Sequence, residues 1–170
     1  MKKLNLGCGK DYRNGWTNVD IDKSKKTDVL WDLNKIPYPF KENDFDFVLC
    51  NHTLEHLEKP ISVMKEIWRV SKDKAIVEIY GPHFSSFTTY ADLTHKRGLS
   101  YFIFGSHWNR DLDNLFKVKE KKLNFTRINF KKLNLFFNPI INLSPLLYER
   151  FFCWILPCSE IKIVLNVKKS

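Results

Sequence analysis

Short apolar runs, each closed by glycine, proline, asparagine or aspartate, recur along the first half of the chain. Lys3 to Leu6 reads as a short buried strand, ended sharply by Gly7-Cys8-Gly9. A polar turn, KDYRNGW, leads to TNVDID, a second strand, and DVLWDL reads as a third. The prolines and Asn43-Asp44 of NKIPYPFKENDFD forbid regular structure there. FDFVLC is the strongest strand, aromatic and β-branched between turn formers. His52 to Glu58 then reads as a helical turn or two, stopped near Pro60. Ile61, Met64, Ile67 and Trp68 fall at helical spacing with Lys65, Glu66 and Arg69 between them, which predicts an amphipathic helix. AIVEIY is a fifth strand, and GPHFSSFTTYADLTHKRG a long polar-aromatic loop with LSYFIFGSH a short helix after it. FKVKEKKLNFTRINF, out to Phe130, alternates as a sixth strand, SPLLYERFFCWIL reads as helix, and EIKIVLNV as a seventh strand. Lys72-Asp73-Lys74 makes the turn before the fifth.

Strands alternating with crossovers predict an α/β domain around a mostly parallel sheet of about seven strands, closed by an antiparallel final pair. The 170 residues suit one domain, residues 1–170, with no repeat or linker. An apolar fraction of 44% marks a globular chain, and no run of about eighteen apolar residues suggests a membrane span. Met1-Lys2-Lys3 leads straight into LNLGCG, which leaves no room for a signal peptide. Cys8, Cys50, Cys153 and Cys158 form no C-x-x-C pair, so reduced thiols and a cytoplasmic location are expected. Two buried thiols are the expectation for Cys153 and Cys158. The formal charge of +9 admits an RNA or anionic partner, but the lysines are spread along the chain and solubility accounts for them.

Chemistry concentrates where strands end, since ligands of such sheets bind beyond the carboxyl ends. The first strand presents Gly7-Cys8-Gly9, the second Asp20, the third Asp32-Leu33, the fourth Cys50-Asn51-His52 and the fifth Gly81-Pro82-His83. Glycine, acid and acid in that order suit an adenosine: small residues admit a ligand, and a carboxylate suits two ribose hydroxyls. The third glycine of a phosphate-binding G-x-G-x-x-G is absent, and Gly9 lies too near the second strand for the usual helix. An adenosine without phosphate, such as S-adenosylmethionine, tolerates both departures. His52, Glu55 and His56 also spell H-x-x-E-H, the inverted zinc-peptidase pattern; here it follows a buried strand directly and Pro60 cuts it short.

The ordered set LNLGCG, GWTNVDID, DVLWDLNKIPYPFKENDFDFVLCNHTLEHL and EIWRV resembles the class I S-adenosylmethionine-dependent methyltransferases, specifically the small type 11-like group, over most of residues 3 to 80. The resemblance implies a single-domain Rossmann-like methyltransferase fold, with a short or missing first helix in this chain. It implies that Gly7, Cys8 and Gly9 line the methionine and ribose of the cofactor, that Asp20 and Ile21 meet the ribose, and that Asp32 and Leu33 meet the adenine. Asn51 and His52 would flank the sulfonium end, and Leu54 to Leu57 would be a packing turn beneath it. No metal is expected.

His83 and His95 lie in the loop expected to overhang the methyl group, with Tyr90, Asp92, Lys96 and Arg97. His83 or His95 is expected as general base or acceptor-positioning group, with Tyr90 and Arg97 binding the acceptor. The expected activity is methyl transfer to an oxygen or nitrogen of a small-molecule acceptor, such as a sugar or metabolite. A non-catalytic cofactor-binding module and an RNA methyltransferase remain as alternatives, with a zinc peptidase more remote.

Overall fold

Each apolar run becomes a strand in the computed structural model, which describes residues 1–128 and 130–169. The strands are β1 (Lys3–Leu6), β2 (Thr17–Asp20), β3 (Val29–Leu30), β4 (Phe45–Asn51), β5 (Ser71–Pro82), β6 (Phe116–Asn124) and β7 (Glu160–Val167). They form one sheet in the order β3-β2-β1-β4-β5-β7-β6. Pairing is parallel from β3 to β5 and antiparallel where β7 joins β5 and β6. The order reverses between β1 and β4, so the carboxyl ends of β1, β2 and β4 open a crevice there.

The helices are α1 (Pro60–Val70), α2 (Phe87–Ala91), α3 (Arg110–Leu115), α4 (Leu133–Leu143) and α5 (Pro145–Leu147), with a π-turn at Tyr148–Phe152 and a 3₁₀ turn at Leu54–His56. Several expectations need correction. The third strand shrinks to Val29–Leu30, because the Asp32 carboxylate accepts from the Asn34 N–H and turns the chain. LSYFIFGSH forms successive turns rather than a helix, with Gly105 at φ 70°, and helix starts only at Arg110. The sixth strand stops at Asn124 instead of reaching Phe130, and Asn129 lies outside the described residues. Helix α4 was missed, since Pro139 sits inside it and its apolar spacing gives no inward stripe.

The two faces of the sheet differ. Right-handed crossovers from β1 through β2 to β3 and from β4 to β5 run in opposite directions and lie on opposite faces. Helix α1 packs on one of them through Val63, Met64, Ile67 and Val70, and that face carries Leu4, Leu6, Val48, Cys50, Val77, Ile79, Ile161, Ile163 and Leu165, all buried. The β1–β2 and β2–β3 connections carry no helix, so the opposite face has no helical layer from them. Side chains clothe it instead: Trp16 stands edge-on to Phe47, and Lys162 bridges Glu78 and Glu120.

Helix α4 is turned inside out along the β6 edge. Asn134, Asn138 and Asn142, one turn apart, face the sheet, and their amide oxygens accept from the backbone N–H groups of Thr126, Phe125 and Leu123. Asn134 and Asn142 also donate back, to the carbonyls of Thr126 and Leu123. A strand edge is thus closed by side-chain amides rather than by another strand. The apolar residues Leu135, Phe136, Ile140 and Leu143 of this helix point outward and are exposed. Among the described residues no helix is long and apolar enough to cross a membrane.

Candidate functional site

Gly7 and Gly9 both adopt left-handed backbone, at φ 67° and 49°, which lets β1 end in a tight turn. A Cβ on Gly7 would collide with the Thr53 side chain, whereas one on Gly9 would meet nothing within 4 Å. Asp20 sits at the end of β2 and braces that turn, its Oδ2 accepting from the Gly9 N–H at 2.7 Å. A cavity of about 340 Å³ opens here, bordered by Gly7, Gly9, Asp20, Ile21, Asp32 and Leu33. His52, Thr53, His56 and Leu57 close its far side, with Trp31 and Asn34 at the third strand end. Among the described residues, two carboxylates and no lysine or arginine line it. Those groups suit ribose hydroxyls, a flat heterocycle and a cationic group better than a phosphate.

Seven residues expected at the cofactor therefore come together: Gly7, Gly9, Asp20, Ile21, Asp32, Leu33 and His52. Cys8 and Asn51 do not bring their side chains. The Cys8 thiol is buried and directed at the Lys26 carbonyl, and Asn51 shares the sheet face of Tyr80. Thr53, His56, Trp31, Asn34 and Leu57 were missed as wall residues. The signal for Thr53 and His56 lay in the NHTLEHL stretch, of which only Leu54 to Leu57 were expected to pack beneath the cofactor and Thr53 was given no role.

A second cavity, about 990 Å³, adjoins the first and shares His52 and His56 with it. Its other walls include Phe87, Leu93 and His95 from the loop after β5, and Arg127, Ile128 and Phe130 from the segment after β6. His52 stands between the two with its backbone at φ 50°, a conformation unusual outside glycine. Its Nε2 lies 2.8 Å from Glu160 Oε1 and its Nδ1 3.1 Å from Glu55 Oε1. Both partners are carboxylates, so both ring nitrogens donate. Burial opposes the charged ring, but the bonds to Glu160 and Glu55 outweigh it and raise the His52 pKa.

Beside it, Glu55 is fully buried, and the rings of His56 and His95 stand edge-on with centroids 4.6 Å apart. His95 reaches the second cavity. His83 does not reach either cavity, which corrects its expected place above the methyl group. It is completely buried, accepts from the Ser85 N–H at Nδ1, and directs Nε2 at Glu149 Oε1, 3.1 Å away. Strand β5 runs two residues further than the loop reading allows, to Pro82, and draws His83 into the core side of the sheet, paired with Leu99. Arg97 donates to the Leu57 carbonyl at 2.9 Å and so props the cavity wall, and Tyr90 is exposed on α2. The four cysteines are free and buried, and burial pushes the Cys50 and Cys158 thiols up to about 12.

Comparisons with known proteins agree with this geometry. Residues 4–79 match the family described as "Methyltransferase domain", Methyltransf_11. No curated protein matches the sequence. Among solved structures, the fold is similar to a SAM-dependent methyltransferase from Archaeoglobus fulgidus, with a TM-score of 0.64 and 16% identity over 98% of this chain and 86% of that one. It is also similar to an S-adenosylmethionine-dependent methyltransferase from Mesorhizobium loti, with a TM-score of 0.60 and 12% identity over 97% and 90% of the two chains. A methyltransferase from Haloferax volcanii, solved with the Trm112 methyltransferase activator, gives a TM-score of 0.62 and 14% identity over 99% and 83%. The methyltransferase-domain match on residues 4–79 and the likeness of the whole 3-2-1-4-5-7-6 sheet to S-adenosylmethionine-dependent methyltransferases are consistent with a class I S-adenosylmethionine-dependent methyltransferase.

Proposed function

We propose that this enzyme transfers the methyl group of S-adenosylmethionine to an oxygen or nitrogen of a small-molecule acceptor, with residues 1–170 acting as one domain. The observation that carries the reading is the pair of adjoining cavities that share His52 and His56. S-adenosylmethionine supplies an electrophilic methyl on a cationic sulfonium, and the chain supplies alignment. Asp20 would hold the ribose hydroxyls, Asp32 the adenine amino group, and Ile21 and Leu33 the flat faces. Gly7 and Gly9 allow close backbone approach, while Cys8 and Asn51 would contribute backbone only. His52 can border a cationic sulfonium because Glu55 and Glu160 neutralise it.

The acceptor would occupy the larger cavity, whose Phe87, Leu93, Ile128 and Phe130 favour an apolar or sugar-like face over a polyanion. Among the described residues Arg127 is the one arginine or lysine in its lining, which weighs against an RNA acceptor. Of the two histidines from the loop after β5, His95 is the one that borders this cavity and can position the acceptor. Tyr90 would act at the rim, and Arg97 through the wall it braces. The helix-free β1–β2 connection favours a second reading, a cofactor-binding module without turnover.

Calorimetric titration with S-adenosylmethionine and S-adenosylhomocysteine tests the donor site, with Asp20→Ala beside the unaltered protein. Loss of charge-assisted bonds worth about 1.5–3 kcal/mol should weaken binding roughly ten- to a hundredfold. Unchanged affinity in Asp20→Ala would remove the assignment. Binding with no turnover across a panel of hydroxyl and amine acceptors would favour the module.

A further inference from the structure

We propose that Glu55, His56 and His95 form a binding site for a divalent first-row transition-metal ion in the wall of the larger cavity. The proposal deepens the acceptor-site reading above and rests on it. One ligand atom from each residue lies within 4.8 Å of the other two, so small side-chain rotations bring all three to one ion. Two imidazoles and one carboxylate are the donor set that suits zinc, cobalt, nickel, manganese or iron, whereas magnesium and calcium take oxygen shells.

The surroundings orient these ligands. The Thr94 hydroxyl lies 2.6 Å from Asp92 Oδ1 and donates its single hydrogen there. It must then accept from His56 Nδ1, 3.0 Å away, which leaves the lone pair of His56 on Nε2. A carboxylate, a hydroxyl and an imidazole in series is how a metal-binding histidine is commonly held in one tautomer. Glu55 has no lysine or arginine partner among the described residues, and its Oε2 is buried without a hydrogen bond. His95 Nδ1 is buried and unpartnered as well. Two orphaned polar atoms in one small cluster call for a further group, since such atoms are rare in folded proteins.

This site differs from the peptidase pattern in the sequence. In that pattern His52 would be the second imidazole, but His52 spends both nitrogens on Glu160 and Glu55. The second imidazole is His95, brought from the loop after β5. Because His56 and His95 both border the larger cavity, an ion held by three protein ligands would keep open positions facing it. An acceptor offering hydroxyl or carboxylate oxygens would fill them and be held beside the donor cavity.

The test is titration of the chelator-treated protein with Zn²⁺ by calorimetry, and with Co²⁺ by visible absorption. The expected result is one Zn²⁺ per chain and cobalt bands typical of a site with nitrogen and oxygen ligands. Binding should disappear in Glu55→Gln and His95→Ala, persist in the exposed-site control His107→Ala, and weaken about ten- to a hundredfold in Thr94→Val. S-adenosylhomocysteine affinity is measured on the same samples, because His95 does not line the donor cavity. Absence of stoichiometric binding in the unaltered protein, or equal binding in His95→Ala, overturns the metal site. If nucleoside binding persists in that case, the donor-site reading stands. Cobalt spectra dominated by thiolate charge transfer would assign the ion to cysteines and also overturn the proposal.

Discussion

At the scale of single residues, the turn after β1 shows how two neighbouring glycines serve different ends. Both need left-handed backbone, which costs an ordinary L-residue about 1–2 kcal/mol. Only Gly7 is also pressed against a side chain, that of Thr53, whose hydroxyl ties the fourth strand's end to the Leu6 carbonyl. Gly7→Ala should therefore lose clearly more stability than Gly9→Ala in chemical denaturation. Gly9→Ala should leave the fold largely intact and act chiefly on nucleoside affinity, since its Cβ would project into open space. Equal destabilisation by the two would refute this division. The need for small residues was legible from Gly7-Cys8-Gly9, but their different reasons depend on Thr53, which is distant in sequence.

At the scale of elements, α4 is the part that pattern reasoning could least reach. A surface helix ordinarily turns its apolar stripe inward. Here the inward stripe is Asn134, Asn138 and Asn142, because the task is to satisfy a strand edge rather than to fill a core. Asn142 accepts from the Leu123 N–H and donates to the carbonyls of Leu123 and Asn138, each at 2.8 Å. Asn142→Ala should cost about 1–3 kcal/mol in thermal or chemical unfolding, as part-buried backbone groups lose their partners. Leu135→Ser on the outward face should change stability by less than about 0.5 kcal/mol. A reversal of that order would mean the apolar face, not the amides, anchors the helix. By contrast β1, β2, β4 and β7 were legible, since their apolar runs and flanking turn formers serve burial in a parallel or central sheet position.

At the scale of the whole molecule, carboxylates hold distant segments together and set its acid tolerance. Burial alone would raise Glu149, but the bonds from His83, the Tyr101 N–H and the Ser100 hydroxyl outweigh it and hold its pKa below the ordinary 4.5. Burial likewise opposes Glu66, and the Arg69 guanidinium with the Tyr38 N–H lowers it. Lowered folded values mean the unfolded chain binds protons first. The stabilisation is thus fully present above about pH 4.5 and is lost as pH falls through the folded values. Urea unfolding from about pH 6 to about pH 3 should show stability falling steeply below about pH 4.5, and less steeply in Glu149→Gln. An unchanged slope in that variant would show that Glu149 titrates normally. The Glu149 ties also bring the loop after β5 against the segment between β6 and β7.

The sequence alone determined the α/β class, the succession of strands along the chain, the expectation of an antiparallel closing pair and the glycine and acid positions at the strand ends. Those features follow from local periodicity, turn chemistry and residue type, which need no partner from elsewhere in the chain. Only the tertiary structure decided which histidines matter and how. His83 and His95 look alike in the loop after β5, yet the extension of β5 buries one among Ser85 and Glu149 while the other meets His56 and Glu55. It also paired His52 with Glu160, across 108 positions of chain. Side-chain protonation and ligand geometry are set by contacts across the sheet, and a linear pattern carries no record of them.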